Sequence, residues 1–191
     1  ECPMVNVTYD VVGIGSAIVD ILGHTTDDFI AAEKMVKGTM SLITADQAEK
    51  LYDRMGRTVE ISGGSAANTM AGIASLGGNP AFIGKVGNDK LGKVFSHEIR
   101  ASGVDFHGGA NGTTLPTAQS LILVTPDAQR TMNTFLGAAT ELSPADIDPK
   151  VIAGAYVTYI EGYQWDTAQA KTAIRKASKE ARAAGRQVAL S

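Results

Sequence analysis

The chain has 191 residues, 44% of them hydrophobic, and its 17 Lys and Arg against 20 Asp and Glu give a formal net charge of −3. This length corresponds to one domain, and the hydrophobic content is enough for an ordinary core. There is no basic block to follow a phosphate backbone, so we expect no nucleic-acid partner. No apolar run approaches the ~20 residues of a membrane span, so we expect no membrane partner either. The single cysteine, Cys2, rules out an internal disulfide framework and favours the cytoplasm.

Strands and helices alternate along the first half of the chain, which is typical of a parallel sheet covered by helices. The pattern predicts strands over Tyr9–Gly15, Thr39–Thr44, Thr58–Ser62 and Ala81–Gly84, and helices over Thr26–Lys34, Thr44–Met55, Ser65–Leu76 and from Asn88 or Asp89 to Gly103. Thr44 and Gln47 predict a capping box at the start of the second helix. Asp20 follows the first strand by a few residues, outside the predicted elements.

The second half continues this alternation. We expect a loop rich in Gly, Asn and Thr over Asp105–Pro116, followed by a hairpin of Thr117–Thr125 and Arg130–Leu136. A helix start at Ser143–Asp146 comes next. The last predicted elements are a strand over Tyr156–Ile160, a helix over Asp166–Ala184 and a strand over Gln187–Leu190. A strand of a parallel sheet needs partners and a covering helix. Because the printed sequence stops at Ser191, we expect a fold that is incomplete at its C-terminus.

Several common motifs do not fit the sequence. Gly13–Ile18 lacks the third glycine of a dinucleotide-binding fingerprint, and Gly78–Val86 has neither the spacing of a P-loop nor the Ser or Thr that follows its lysine. The three histidines show no ligand spacing with one another or with Cys2, which disfavours a metal site. No Gly-x-Ser-x-Gly elbow presents a nucleophile, which disfavours a hydrolase.

A polar cradle is suggested by the residues that follow two of the predicted strands. Gly63 and Gly64 let a ligand approach the backbone amides, and Asn68 projects from the first turn of the helix that follows. Asp20 has the two acceptor oxygens that neighbouring hydroxyls of a sugar require. A purely structural role is an equal alternative, with the glycines supplying positive φ before a helix capped by Ser65 and Asp20 solvated in a turn.

The run Gly63–Gly92, GGSAANTMAGIASLGGNPAFIGKVGNDKLG, contains the double glycine, the asparagine four residues after it and Gly84-x-x-Gly87-x-Asp89-x-x-Gly92. It resembles the N-terminal signature of the ribokinase-like carbohydrate and nucleoside kinases of the phosphofructokinase B type. Further matches at family-like positions are Gly13-x-Gly15 followed by Asp20, Pro116–Thr117, Arg130 and Glu161–Gly162–Tyr163. The resemblance implies a three-layer α/β/α fold with a small β-sheet lid. Residues 1–191 would be the N-terminal part of a single kinase domain, with lid segments at about 20–62 and 113–136.

Within that family the sequence is most similar to the adenosine kinase branch. The similarity lies in Gly15–Asp20, in Ser65 and in Arg130-Thr131-Met132, although Ser16 stands where adenosine kinases carry an asparagine. The branch implies ATP-dependent phosphoryl transfer, with Mg²⁺, to a nucleoside hydroxyl, converting adenosine to AMP. A sugar kinase of the ribokinase or fructokinase type is the alternative, and a non-catalytic sugar- or nucleoside-binding relative is a third reading.

The resemblance also implies roles for individual residues. Asp20 and Asn68 would bind sugar hydroxyls, Gly63 and Gly64 would give close backbone contact, and Ser16, Ser65 and Met132 would complete the substrate pocket. The family's Gly-Ala-Gly-Asp stretch, which carries the general base, does not occur before Ser191. We therefore expect substrate-side residues in this segment and no catalytic base, in a cytoplasmic monomer or homodimer that binds a small-molecule acceptor and ATP. Asp89 is expected to cap its helix.

Overall fold

The structure is a computed structural model and describes residues 7–191. Within this range the strands are β1 (Tyr9–Ile14), β2 (Ile18–His24), β3 (Met40–Leu42), β4 (Thr58–Gly63), β5 (Pro80–Ile83), β6 (Asp105–Phe106), β7 (Ala118–Val124), β8 (Arg130–Phe135), β9 (Ala155–Ile160) and β10 (Gln187–Leu190). The α-helices there are α1 (Asp27–Ala32), α2 (Ala45–Arg54), α3 (Ser65–Ser75), α4 (Lys90–Ala101), α5 (Pro149–Ala153) and α6 (Ala168–Ala183). Short 3₁₀ helices cover Gly137–Glu141, Pro144–Asp146 and Gly162–Gln164.

The first sheet is parallel, with the strand order β10-β9-β1-β5-β6. Successive side chains of a strand point to opposite faces, and both faces of this sheet are apolar. Phe82 of β5 joins a core with residues of α3 and α4, whereas Ala81 and Ile83 join a core with residues of α5 and α6. Helices therefore cover both faces, as the expected three-layer arrangement requires.

Side-chain caps mark the starts of α2 and α4. Thr44 and Gln47 make the predicted reciprocal capping box at the start of α2. Asp89 is the N-cap of α4, where its carboxylate accepts a hydrogen bond from the Gly92 N–H at 2.8 Å. Both capping predictions are confirmed.

The second sheet is mixed, with the order β3-β8-β7-β2-β4. The predicted hairpin is confirmed as the antiparallel pair β7 and β8, and β2 runs parallel to β7 and antiparallel to β4. One face of this sheet is buried with α2, through Val19 and Ile21 of β2 and Leu121 and Leu123 of β7. Its opposite face lies over the carboxyl edge of the first sheet. That this sheet acts as a lid stays a prediction.

Three sequence-based expectations differ from the structure. Asp20 lies inside β2, because pairing with strands on both sides outweighs the low strand propensity of aspartate. Asp105 and Phe106 form a short edge strand within the predicted loop. The helix start at Ser143 yields one 3₁₀ turn, and the α-helix begins six residues later, at Pro149.

Two predictions from composition concern the cellular compartment and a membrane partner. Cys2 lies outside the described residues, so the expectation drawn from it stays a prediction. In the part of the chain that is described, no helix combines the length and apolarity needed to cross a membrane.

Candidate functional site

A cavity of about 470 Å³ opens between the two sheets. Its floor is formed by the turn after β1, the start of α3 and the segment after β9, and its roof by strands of the second sheet. In open α/β sheets ligands bind beyond the carboxyl ends of the strands, which is where this cavity lies. Its lining includes Ser16, Ser65, Glu161, Tyr163, Trp165, Ile18, Met40, Leu42, Thr134 and Leu136.

The double-glycine turn brings β4 into contact with the turn after β1. Gly64 has φ of +100°, in the region that favours glycine, and is the N-cap residue of α3. A Cβ at this position would overlap the carbonyl oxygen of Ser16. The turn is therefore restricted to glycine both by its backbone angle and by this close approach.

Glu161 joins the three segments that form the cavity floor. Its side chain is 2% exposed and accepts hydrogen bonds from the Ser16 N–H at 2.7 Å, from the Ser65 hydroxyl and from the Ala66 N–H at 3.4 Å. Gln164 adds a bond from its side-chain amide to the Ser16 hydroxyl at 2.8 Å. Sequence reasoning noted Glu161 at a family-like position and assigned it no role. An acidic residue directly after the predicted strand Tyr156–Ile160 is the sequence signal that could have found it.

Asp20 is the second of five residues in a row that crosses the open face of the second sheet. Residues in register share a face, and the row reads Ile61, Asp20, Ser120, Thr134 and Leu42 from β4 to β3. The hydroxyls of Ser120 and Thr134 are hydrogen-bonded to each other at 2.9 Å. The row therefore has a polar centre between two apolar ends. Ser120 and Thr134 were not predicted as site residues, since only the strand register brings them beside Asp20.

Burial raises the pKa of Asp20 to about 6, and the charge of Arg130 opposes that shift. Desolvation disfavours the ionised form, so the carboxylate is held in an environment that penalises its charge. At pH 7 the carboxylate is nevertheless mostly ionised and retains both oxygens as acceptors. Such a group gains from hydroxyl donors that approach it, because they replace the lost hydration.

Not all of the other predicted site residues line the cavity. Ser16 and Ser65 line the cavity, and Asn68 is exposed on α3, one turn beyond Gly64. Met132 lies on the same face of the second sheet as Asp20, in register with Met40 and Ile122. The structure thus brings Ser16, Ser65 and the glycine turn together and places Asp20 and Met132 on the sheet above them.

Aromatic and aliphatic side chains supply the apolar part of the cavity. Tyr163 and Trp165 follow Glu161 and are 81% and 46% exposed, and Met40 and Leu42 on the second sheet are also exposed. Arg175 lies over the Trp165 ring, 5.1 Å from its centroid. Exposed aromatic surface beside a few polar groups is typical of a small-molecule site.

The described residues do not fit a metal centre. Among residues 7–191 no group of three or more His, Cys, Asp or Glu side chains is arranged to hold a metal ion.

Comparisons with known proteins agree with this geometry. The model of the family described as "pfkB family carbohydrate kinase" matches residues 18–190. An adenosine kinase from Sinorhizobium meliloti superposes with a TM-score of 0.86 at 54% identity, and a probable sugar kinase from Rhizobium etli CFN 42 with a TM-score of 0.87 at 48% identity. Each match covers 95% of this chain, and 56% and 55% of the respective structure.

The curated relatives are named as sugar kinases. A fructokinase from Klebsiella pneumoniae is 34% identical over 105 residues, which are 52% of this chain and 33% of that protein. A probable chloroplastic fructokinase from Arabidopsis thaliana is 30% identical over 125 residues, or 64% of this chain and 33% of that protein. The matches thus cover about a third of the curated relatives and about half of the solved structures.

Proposed function

This chain belongs to the pfkB family of carbohydrate kinases, and from that premise we propose that it forms the acceptor-binding half of an ATP-dependent kinase of adenosine or a related nucleoside. The cavity carries this proposal. Tyr163 and Trp165 line it and suit a flat heterocyclic base. Asp20 and the glycine turn, which suit a ribose, lie next to the lining residues Ile18 and Ser65. A free hexose has hydroxyls to satisfy on all sides and would leave the aromatic surface without a matching partner.

In this proposal the chain binds and orients the acceptor. The ionised Asp20 carboxylate accepts hydrogen bonds from ribose hydroxyls, which fixes the sugar against the Gly63–Gly64 backbone. The second sheet covers the sugar and excludes water, so that the phosphoryl group passes to the acceptor instead of to a water molecule. ATP would supply the phosphoryl group, and Mg²⁺ would neutralise the charge of its phosphates. Residues 7–191 include no side chain in a motif context for the general base.

A sugar kinase is the second candidate. The curated relatives favour it, since both are named fructokinases at 30–34% identity. The solved relative at 54% identity is named an adenosine kinase and matches 95% of the chain, and for that reason we place the nucleoside first. A non-catalytic binding relative is the third reading. The cytoplasmic location and the choice between monomer and homodimer stay predictions.

The test uses a complete kinase that carries this chain, because the chain spans about half the length of its solved relatives. The purified protein is incubated with ATP and Mg²⁺ and with adenosine, inosine, ribose or fructose in turn, and the products are identified by mass spectrometry. We expect AMP from adenosine as the main product. Fructose phosphate as the main product would assign a sugar kinase, and binding without any phosphorylated product would assign a non-catalytic relative.

A further inference from the structure

The carboxylate of Asp89 has more partners than its role as a helix cap requires. Its Oδ1 accepts bonds from the Gly92 N–H at 2.8 Å and from the Thr117 hydroxyl at 2.7 Å. Its Oδ2 accepts the Thr117 N–H at 2.7 Å. The Thr117 hydroxyl in turn accepts the Gly87 N–H at 2.9 Å. Thr117 is fully buried and lies 28 residues away along the chain, directly before β7.

The two glycines beside Asp89 make room for this contact. A Cβ on Gly87 would lie 2.7 Å from the Thr117 nitrogen and 2.7 Å from the Leu115 carbonyl oxygen. A Cβ on Gly92 would overlap the Gly87 carbonyl oxygen and lie 2.9 Å from the Thr117 hydroxyl. The motif Gly87-x-Asp89-x-x-Gly92 therefore has the shape of a socket for Thr117.

The socket holds the point where the second sheet joins the rest of the fold. The Pro116 carbonyl accepts the Ala138 N–H at 2.9 Å, so the chain entering β7 and the chain leaving β8 are fastened at the same place. From Thr117, strand β7 runs beside β2, with Ala118 opposite Ile18 and Ser120 opposite Asp20. A shift of Thr117 would therefore displace the neighbours of Asp20.

We propose that Asp89 is a positioning residue, which acts through Thr117 and β7 to hold the Asp20 carboxylate in the position from which it binds the acceptor. This inference rests on the proposed function for its kinetic consequence, since it assigns Asp20 to the acceptor. It gives the Gly87–Gly92 segment a role distinct from substrate contact.

The test compares Asp89→Asn with Asp148→Asn in the complete kinase. Asp148 is also an N-cap, accepting the Lys150 N–H at 2.8 Å at the start of α5, which packs against the first sheet. Asparagine caps helices as well as aspartate, so both variants keep their helix start. In Asp89→Asn, the amide NH₂ group must face either the Thr117 N–H or the Gly92 N–H. Two donors then meet, and one hydrogen bond is lost. Thr117→Val removes the hydroxyl bonds separately, and Thr117→Ser restores them.

We expect Asp89→Asn and Thr117→Val to raise the acceptor KM about ten-fold, because a shift of β7 and Asp20 weakens one charge-assisted hydrogen bond from Asp20 to the acceptor. The KM for ATP should stay within about two-fold, and Asp148→Asn and Thr117→Ser should behave as wild type. Amide hydrogen exchange at 118–120 should be faster in the first two variants only. A loss of thermal stability with unchanged acceptor KM, or exchange that matches wild type, would overturn the proposal.

The exchange measurement keeps this test separate from the proposed function. If wild type phosphorylates neither nucleosides nor sugars, the proposed function fails, while exchange at 118–120 still reports whether Asp89 anchors β7. Faster exchange there supports the anchor, and unchanged exchange rejects it.

Discussion

The carboxylate of Asp20 lies directly against Gly63 of the adjacent strand, which is opposite Ile18, so closely that a Cβ at position 63 would overlap the carboxylate. Gly63 ends β4 and leads into the glycine turn, and Asp20 belongs to the polar row of the second sheet. The glycine thus makes room for the carboxylate and leaves its backbone beside it. Asp20 shares its face of the sheet with Ile18 and Thr134, which line the cavity, and the proposed function places the sugar beside this pair.

Asp20→Asn is expected to weaken acceptor binding and to stabilise the fold. The amide loses one acceptor and the charge, which should cost about 1.5–3 kcal/mol of binding. The raised pKa of Asp20 means that its ionised form is penalised in the folded protein. Removing that charge should raise the free energy of unfolding at pH 7 by about 1–2 kcal/mol, after allowance for screening of a half-buried group. Calorimetric titration with acceptor and urea unfolding measure the two effects. A loss of stability together with unchanged affinity would contradict both.

The same carboxylate predicts a pH dependence. Its pKa in the folded protein, about 6, lies above the ordinary value of 3.8. Its contribution to stability is therefore full below about pH 4 and is lost as the pH rises through about 6. Acceptor binding should change in the opposite direction, since the ionised form accepts the hydroxyls. We expect the acceptor affinity to rise between pH 5 and 7 in wild type and to remain flat in Asp20→Asn. A wild-type profile as flat as that of the variant would exclude Asp20 from the binding site.

Gly64→Ala tests the turn that positions α3. The φ of +100° and the overlap of a Cβ with the Ser16 carbonyl predict a loss of stability of at least about 1–3 kcal/mol. Gly72→Ala is the matched control on the same helix, because nothing lies within 4 Å of its Cβ position. That variant should gain about 0.5–1 kcal/mol. Urea unfolding distinguishes the two, and equal effects would mean that Gly64 is not restricted by its turn.

Glu161→Gln tests the junction beneath the cavity. Its two carboxylate oxygens accept bonds from Ser16, Ser65 and Ala66, so an amide must turn a donor toward at least one of them. The unmade bond should cost about 1–3 kcal/mol of stability. Glu49→Gln on the exposed side of α2 is the control and should be neutral. Thermal unfolding of the two variants side by side checks this. If Glu161→Gln leaves the stability unchanged, Glu161 does not stabilise the junction of these segments.

Trp165 is the only tryptophan of the printed chain, and it lines the cavity where the proposed function places the base. Trp165→Ala should weaken adenosine binding by about 1–3 kcal/mol, the usual value of stacking a base on an aromatic ring, and should leave ribose binding unchanged. Tyr156→Ala removes an exposed aromatic that also lies beneath an arginine, and serves as control. Adenosine should change the Trp165 fluorescence, and Trp165→Phe should abolish that signal. Equal losses for adenosine and ribose would argue against a base site.

Local signals were sufficient to predict much of this fold. The capping box at Thr44, the cap at Asp89 and the hairpin of β7 and β8 depend on residues close in sequence, and all were confirmed. The long helix was predicted within two residues at its start and one at its end, since its apolar positions recur with helical spacing.

Long-range contacts account for what the sequence did not reveal. Asp20 falls in β2 because of pairing with β4 and β7, which no pattern around it indicates. Glu161 and Ser16 are 145 residues apart, so their hydrogen bond has no local signature. The polar row of Ser120 and Thr134 exists only once the strand register is known.

The proposed function requires that the cavity accept a nucleoside in preference to a free sugar. This preference is measured as kcat/KM of the complete kinase for adenosine and for fructose under identical ATP and Mg²⁺ concentrations. We predict a ratio of at least about 100 in favour of adenosine, since a hexose leaves the aromatic surface unused. A ratio in favour of fructose would contradict it and would identify the cavity as a hexose site.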